Sequence, residues 1–185
     1  MDSLLALRLH EWVSAEPWLE TVVVLMAQYG VFALPVALAI VWIRSDSSDG
    51  QRLAILVGSV AALVAFGLGL VLERTLGRPR PFVELGFAPL LAHAADSSFP
   101  SDHTLTGVAL VGAMVWRAPR AGGVLILWAV LVGLARAAAG LHYVSDVIGS
   151  AVLALVIDGL AWLIVPRFIP RIFHRRVPVA GRGTD

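Results

Sequence analysis

The chain has 185 residues, 58% hydrophobic and only 15% charged, with a net charge of +1 and a mean hydropathy of +0.84. Soluble domains carry about 25% charged residues, so a soluble nucleic-acid- or metal-binding module is excluded. Cysteine is absent, which rules out disulfides, thiol catalysis and thiolate metal sites, and lysine is absent too, so all 14 cations are arginines.

The apolar residues form blocks close to the roughly 20 residues that cross a bilayer as a helix. Residues 3–13, "SLLALRLHEWV", are a short apolar stretch carrying Arg8, His10 and Glu11. That composition suits a helix lying in the interface rather than spanning it, closed by Pro17. The start of the chain has no basic stretch followed by an apolar run and a cleavage site, so no cleaved signal peptide is expected. Residues 21–43 hold no charge and predict a first span, with Pro35 as a kink. A polar turn, "RSDSSDGQR", follows at 44–52. Residues 53–72 predict a second span, its small residues suited to close helix contacts.

From Glu73 to Pro100 runs a long connection holding "ERTLGRPRPF" and "HAADSSFP". Connections longer than about 12–15 residues are usually functional or disordered; paired Arg-Pro steps favour function. His93 and Asp96 within it read as solvated or substrate-facing. Residues 104–116 and 121–135 are apolar but undersized, about 20 Å each as helices. They reach full length by borrowing 101–103 and 136–139, which sinks those polar residues slightly below the membrane surface. Residues 147–165 make the last span, with Asp158 inside it. An acid at that depth is a functional candidate or a hydrogen-bonding partner for a neighbouring helix. The expected architecture is an all-α polytopic bundle of five to six spans. It divides into an interfacial segment (1–18), a membrane domain (19–166) and a basic tail (167–185).

Five spans place the 44–52 turn, the 117–120 turn and the tail on one side, with Arg44, Arg52, Arg117, Arg120 and the tail arginines. By the positive-inside tendency that side is cytoplasmic, and the long connection faces out. The outer face then collects Arg74, Arg78, Arg80, Ser101, Asp102, His103, Arg136, His142 and Asp146. Arginine forks match phosphate oxygens, and two imidazoles can supply a nucleophile and a proton donor. In "SFPSDHT" (98–104), Ser101 or Asp102 can cap the following helix. A helix start with free N–H groups is an anion site, with His103 in its first turn; an ordinary cap beside a surface histidine is the alternative. In "RAAAGLHYVSD" (136–146), His142 and Asp146 stand four apart, so on a helix the carboxylate can hold the imidazole. Gly140 lets the chain turn between Arg136 and His142; a snorkelling arginine with a chance His–Asp pair is the alternative. Metal binding is disfavoured by the adjacent arginines.

"ERTLGRPRP" (73–81), "PSDH" (100–103) and "RAAAGLHYVSD" resemble, in order and spacing, the three signatures of the type 2 phosphatidic acid phosphatase (PAP2) superfamily: K-x6-R-P, P-S-G-H and S-R-x5-H-x3-D. The aspartate of "FPSDHT" and the "RPRPF" run are most similar to bacterial undecaprenyl-pyrophosphate phosphatases of the bacitracin-resistance type. The resemblance implies a plasma-membrane enzyme, free of metal and cofactor, that hydrolyses undecaprenyl diphosphate on the extracytoplasmic face. It implies a phosphohistidine on His142, with Asp146 holding the ring and His103 protonating the leaving oxygen. Arg80, Arg136 and Ser101 hold the phosphoryl oxygens, assisted by Arg78, Arg74 or Asp102. The implied partners are the lipid phosphate substrate and membrane lipids, with no nucleic acid and oligomeric state open. Alternatives are another lipid phosphate as substrate, such as phosphatidic acid or phosphatidylglycerol phosphate, or a non-catalytic lipid-phosphate binder or transporter. The sequence departs from the signatures at two positions: Glu73 stands at the lysine position, which favours the binder, and Ala135 at the serine, which removes one possible hydroxyl contact.

Overall fold

In the computed structural model, which describes residues 1–44 and 48–168, the apolar blocks become helices. These are α1 (Asp2–Ser14), α2 (Pro17–Tyr29), α3 (Ala33–Ile43), α4 (Asp49–Leu76), α5 (Pro81–Leu85), α6 (Asp102–Val111), α7 (Pro119–Ala138) and α8 (Val144–Ile164). Short 3₁₀ turns occur at Gly30–Phe32, Gly112–Trp116 and Val165–Arg167. No strand occurs among the described residues. The arginine-rich tail lies, from residue 169 on, outside them, as does His174.

Four stretches are long and apolar enough to cross a membrane: Pro17–Ile43, Asp49–Leu85, Pro119–Ala138 and Val144–Arg167. In the first, the irregularity expected at Pro35 falls earlier, at Gly30–Phe32. A proline ring crowds the carbonyl four residues back, here that of Val31, so the strain relaxes upstream. Trp128 on α7 donates its indole N–H to the Gly30 carbonyl at 2.8 Å, satisfying a group the break leaves over. The polar turn predicted over 44–52 is shorter than expected. Ser48 caps α4 in a reciprocal box, accepting from the Gln51 N–H at 3.2 Å while Gln51 Oε1 accepts from the Ser48 N–H at 2.9 Å. Residues 49–52 are therefore already helical.

α6 has ten residues and falls short of a span on its own. The five residues of Gly112–Trp116 continue it in 3₁₀ form, which rises about 2.0 Å per residue instead of 1.5 Å. The two pieces together cover about 25 Å. Contacts along α4 show that this is a full antiparallel crossing: a Cβ on Gly69 would lie 3.3 Å from Asp102, one on Gly58 2.3 Å from the Leu110 carbonyl, and one on Gly50 3.2 Å from Arg117. The undersized segment thus runs from the level of Gly50 to that of Gly69, while α4 itself continues to Leu76.

Small residues make that crossing close. Ala54, Gly58, Ala61, Ala65 and Gly69 are buried along one stripe of α4, which lets two backbones approach without side chains between them. The lipid-facing side is the reverse, with Leu63, Val64, Phe66 and Val71 exposed. Asp158 of α8 is 2% exposed and rests against the junction of α6 and its 3₁₀ extension, where a Cβ on Gly112 would lie 1.9 Å from its Oδ2. It packs a helix junction remote in sequence from the polar loops. α1 packs on α2, α5, α7 and the start of α8, at the end of the bundle where the long connection lies.

Candidate active site

Two turns deliver the site. Gly77 ends α4 with φ +57 and Gly140 follows α7 with φ +86, both in the left-handed region. A Cβ at Gly140 would also meet the Phe87 ring at 2.5 Å. Between them, Arg80 starts α5 and His142 is drawn beneath it.

His142 is 1% exposed. Its Nδ1 lies 2.7 Å from the Ser98 carbonyl oxygen. A carbonyl only accepts, so Nδ1 carries the proton and the lone pair sits on Nε2. Arg80 Nη1 lies against the ring, 3.3 Å from Nε2 and 3.5 Å from Nδ1. The Arg80 guanidinium also donates from Nη1 to the Leu141 carbonyl at 2.9 Å and from Nε to Asp96 Oδ1 at 2.6 Å. A buried fork is thereby fixed beside an imidazole whose Nε2 carries no proton.

Asp146 does not hold the His142 ring, contrary to the sequence expectation. α8 begins only at Val144, so His142 lies outside the helix and the four-residue spacing does not put the two on one face. Asp146 Oδ2 instead accepts from Ser98 Oγ at 2.5 Å and from the Tyr143 N–H at 2.9 Å, and Oδ1 takes Arg78.

Four residues expected to contact phosphate have these surroundings. Arg78 is spent on structure: it donates to Asp146, to Ser145 Oγ at 2.9 Å and to Asp2 at 2.8 Å, and covers the Tyr143 ring at 4.1 Å. Arg74 is exposed on the last turn of α4, with no hydrogen bond or ion pair to the site. Ser101 is fully buried; its hydroxyl meets Thr104 Oγ1 at 3.0 Å and its N–H donates to Ser150 Oγ at 2.8 Å. Asp102, half-buried against Gly69, lies within electrostatic reach of Arg80 and Arg136. Neither Ser101 nor Asp102 caps α6 with its side chain. The first N–H groups of α6 keep no side-chain partner, as an anion site requires.

Arg136, 6% exposed, donates to the Ala27 carbonyl and to His93 Nε2, each at 3.2 Å, while its Nε is buried without a partner. A phosphate oxygen would satisfy that donor. Asp102, His103 and His142 all lie within electrostatic reach of it. Glu73, at the lysine position, is half-buried within electrostatic reach of Asp96, Asp102 and Arg80.

Three loop residues contribute: His93 and Asp96, read from the sequence as solvated or substrate-facing, and Ser98, which the sequence did not single out. Asp96 anchors Arg80, His93 bridges to Arg136, and Ser98 links His142 to Asp146. Loop residues give no periodic signal, and the contact of Ser98 with His142 uses a backbone atom. Burial first, then the charges of Arg80 and Arg136, push the His142 imidazole well below its ordinary 6.5, so it is neutral. Burial is also the largest influence on His93, and it is likewise shifted down. For Asp96, burial pushes upward, but the hydrogen bond to Arg80 and its charge prevail and hold the carboxyl ionised.

A neutral imidazole packed against a buried guanidinium, with a second buried arginine nearby and all of it inside an all-helical membrane bundle, fits a membrane-embedded phosphatase. The family model of the PAP2 superfamily matches residues 52–170, and the chain belongs to that superfamily. Undecaprenyl-diphosphatase BcrC of Bacillus subtilis is 32% identical over 142 residues, covering 77% of this chain and 72% of the relative. Among solved structures, a transmembrane PAP2-type phosphatidylglycerolphosphate phosphatase from Bacillus subtilis superposes with a TM-score of 0.60 at 25% identity, over 91% of this chain and 86% of that one. LpxE of Aquifex aeolicus shares the fold with a TM-score of 0.65 at 22% identity, over 85% and 94%.

Proposed function

We propose that this phosphatase hydrolyses undecaprenyl diphosphate to the monophosphate at the outer face of the plasma membrane, with residues 19–166 as the catalytic domain and α1 at the interface. The observation that carries the reading is the held tautomer of His142, its Nε2 3.3 Å from Arg80. Arg80, Arg136 and the α6 amides grip the terminal phosphoryl group. In the form of the enzyme that carries a proton on both nitrogens of His103, His142 Nε2 forms an N–P bond as the bridging P–O bond breaks, and the leaving oxygen takes the electron pair and that extra proton from His103. Neutral His103 then accepts a proton from water as the water oxygen attacks phosphorus. The P–N bond breaks, inorganic phosphate departs, and both histidines return to their starting states. The 32% identity to an undecaprenyl-diphosphatase supports the substrate.

The test is phosphate release by purified protein, with EDTA present, from undecaprenyl diphosphate, undecaprenyl monophosphate, phosphatidic acid and phosphatidylglycerol phosphate. Preference for the diphosphate is expected. Preference for another lipid changes the substrate, and no release from any of them by folded protein turns Glu73 into the mark of a lipid-phosphate binder.

The pH profile follows from His142. Attack needs the neutral imidazole, and the folded site holds its pKa below 6.5. The acid limb of kcat/KM is therefore expected below pH 6.5; a limb at or above that value would show an imidazole not buried among cations.

A further inference from the structure

We infer that Ser98 is the positioning residue of the nucleophile, and that Asp146 acts on His142 only through it. The inference rests on the proposed histidine mechanism and deepens it. All three polar groups of Ser98 are committed. Its N–H donates to the Arg78 carbonyl at 2.7 Å, its hydroxyl to Asp146 Oδ2 at 2.5 Å, and its carbonyl accepts the His142 Nδ1 proton at 2.7 Å. The residue is fully buried, as is Asp146, so no water competes for these contacts.

The chemistry gives the arrangement a purpose. When Nε2 bonds to phosphorus the ring becomes a cation, and the Nδ1 proton must stay on the ring. A carbonyl oxygen holds that proton without taking it, because it is a far weaker base than a carboxylate. Asp146 supplies its charge one residue removed, and its grip on the Ser98 hydroxyl fixes where the carbonyl points. Arg78 closes the frame: its carbonyl takes the Ser98 N–H while its guanidinium takes Asp146. Small misplacement of a reacting nitrogen is costly, about 10²-fold in rate for about 1 Å.

Ser98→Ala removes the hydroxyl and leaves the carbonyl in the chain, so the fold keeps its backbone bonds. Ser98→Ala and Asp146→Asn are each expected to lower kcat about 10²-fold, with KM changed little. The double variant should match Asp146→Asn to within about twofold, the margin of independent measurement. Losses that multiply would show that Asp146 reaches His142 by another route, and a Ser98→Ala enzyme as fast as wild type would overturn the inference. A second arm needs no turnover: in ¹⁵N-histidine-labelled protein, His142 should show a slowly exchanging Nδ1 proton that both single variants weaken. An unchanged signal in Ser98→Ala overturns the linkage even if the protein hydrolyses none of the lipids. A wild-type protein showing the signal but no turnover would instead sink the functional reading alone.

Discussion

His142→Gln is expected to abolish phosphate release, by on the order of 10⁶-fold, as removal of a covalent nucleophile does elsewhere. Glutamine keeps a polar group of similar reach beside Arg80 and the Ser98 carbonyl, so the buried contacts of the histidine are partly replaced and the helical fold should persist. It has no nitrogen lone pair to offer phosphorus. Initial rates measured beside a circular dichroism spectrum separate chemistry from folding. Rapid acid-free quenching of wild type with radiolabelled diphosphate should trap a base-stable, acid-labile phosphoenzyme that the variant lacks. A variant within tenfold of wild type would remove His142 from the nucleophile's place and leave His103 as the only other imidazole in a helix start at this face.

Arg80→Ala should follow closely, lowering kcat/KM by about 10²- to 10³-fold, the usual cost of a preorganised donor to developing charge. The guanidinium reaches Asp96, the Leu141 carbonyl and the His142 ring from one buried position. Arg80→Lys keeps the charge but cannot supply the fork, so it should recover only part of the loss. Stability should fall as well, by about 1–3 kcal/mol, because the Leu141 carbonyl loses its partner; Asp96, 41% exposed, is rehydrated rather than stranded. Arg74→Ala is the matched control. That side chain is exposed, and surface changes of this kind stay within about 0.5 kcal/mol, so kcat/KM should move by about twofold at most. A large loss at Arg74 with a small one at Arg80 would reverse the assignment.

The contrast between these two arginines marks where sequence stops informing. Order and spacing brought Arg80, His103, Arg136 and His142 to one end of the bundle, and the structure agrees. The all-α fold was legible because apolar blocks of membrane length leave few alternatives. Which arginine reaches inward was not legible, since Arg74 ends α4 and Arg78 and Arg80 follow in the turn that begins at Gly77. The Asp146 contact was misread for a local reason: helical spacing applies only inside a helix, and α8 starts two residues after His142. Ser98 could not be read at all from its neighbours. Its carbonyl would be present whatever side chain stood there.

The stretched crossing made by α6 and its 3₁₀ extension has an energetic meaning for the substrate. His103 sits at the top of a segment only about 25 Å long, below the level an ordinary span would reach. A polyprenyl chain lifted out of the hydrocarbon to meet a higher site would expose carbons to water at about 0.8 kcal/mol each. Three or four carbons raised that way would cost about 3 kcal/mol, a hundredfold in the population ready to react. With the imidazoles and guanidiniums lowered instead, the burial work would be done once, when the protein folds, and the proposed lipid substrate would react without leaving its solvent.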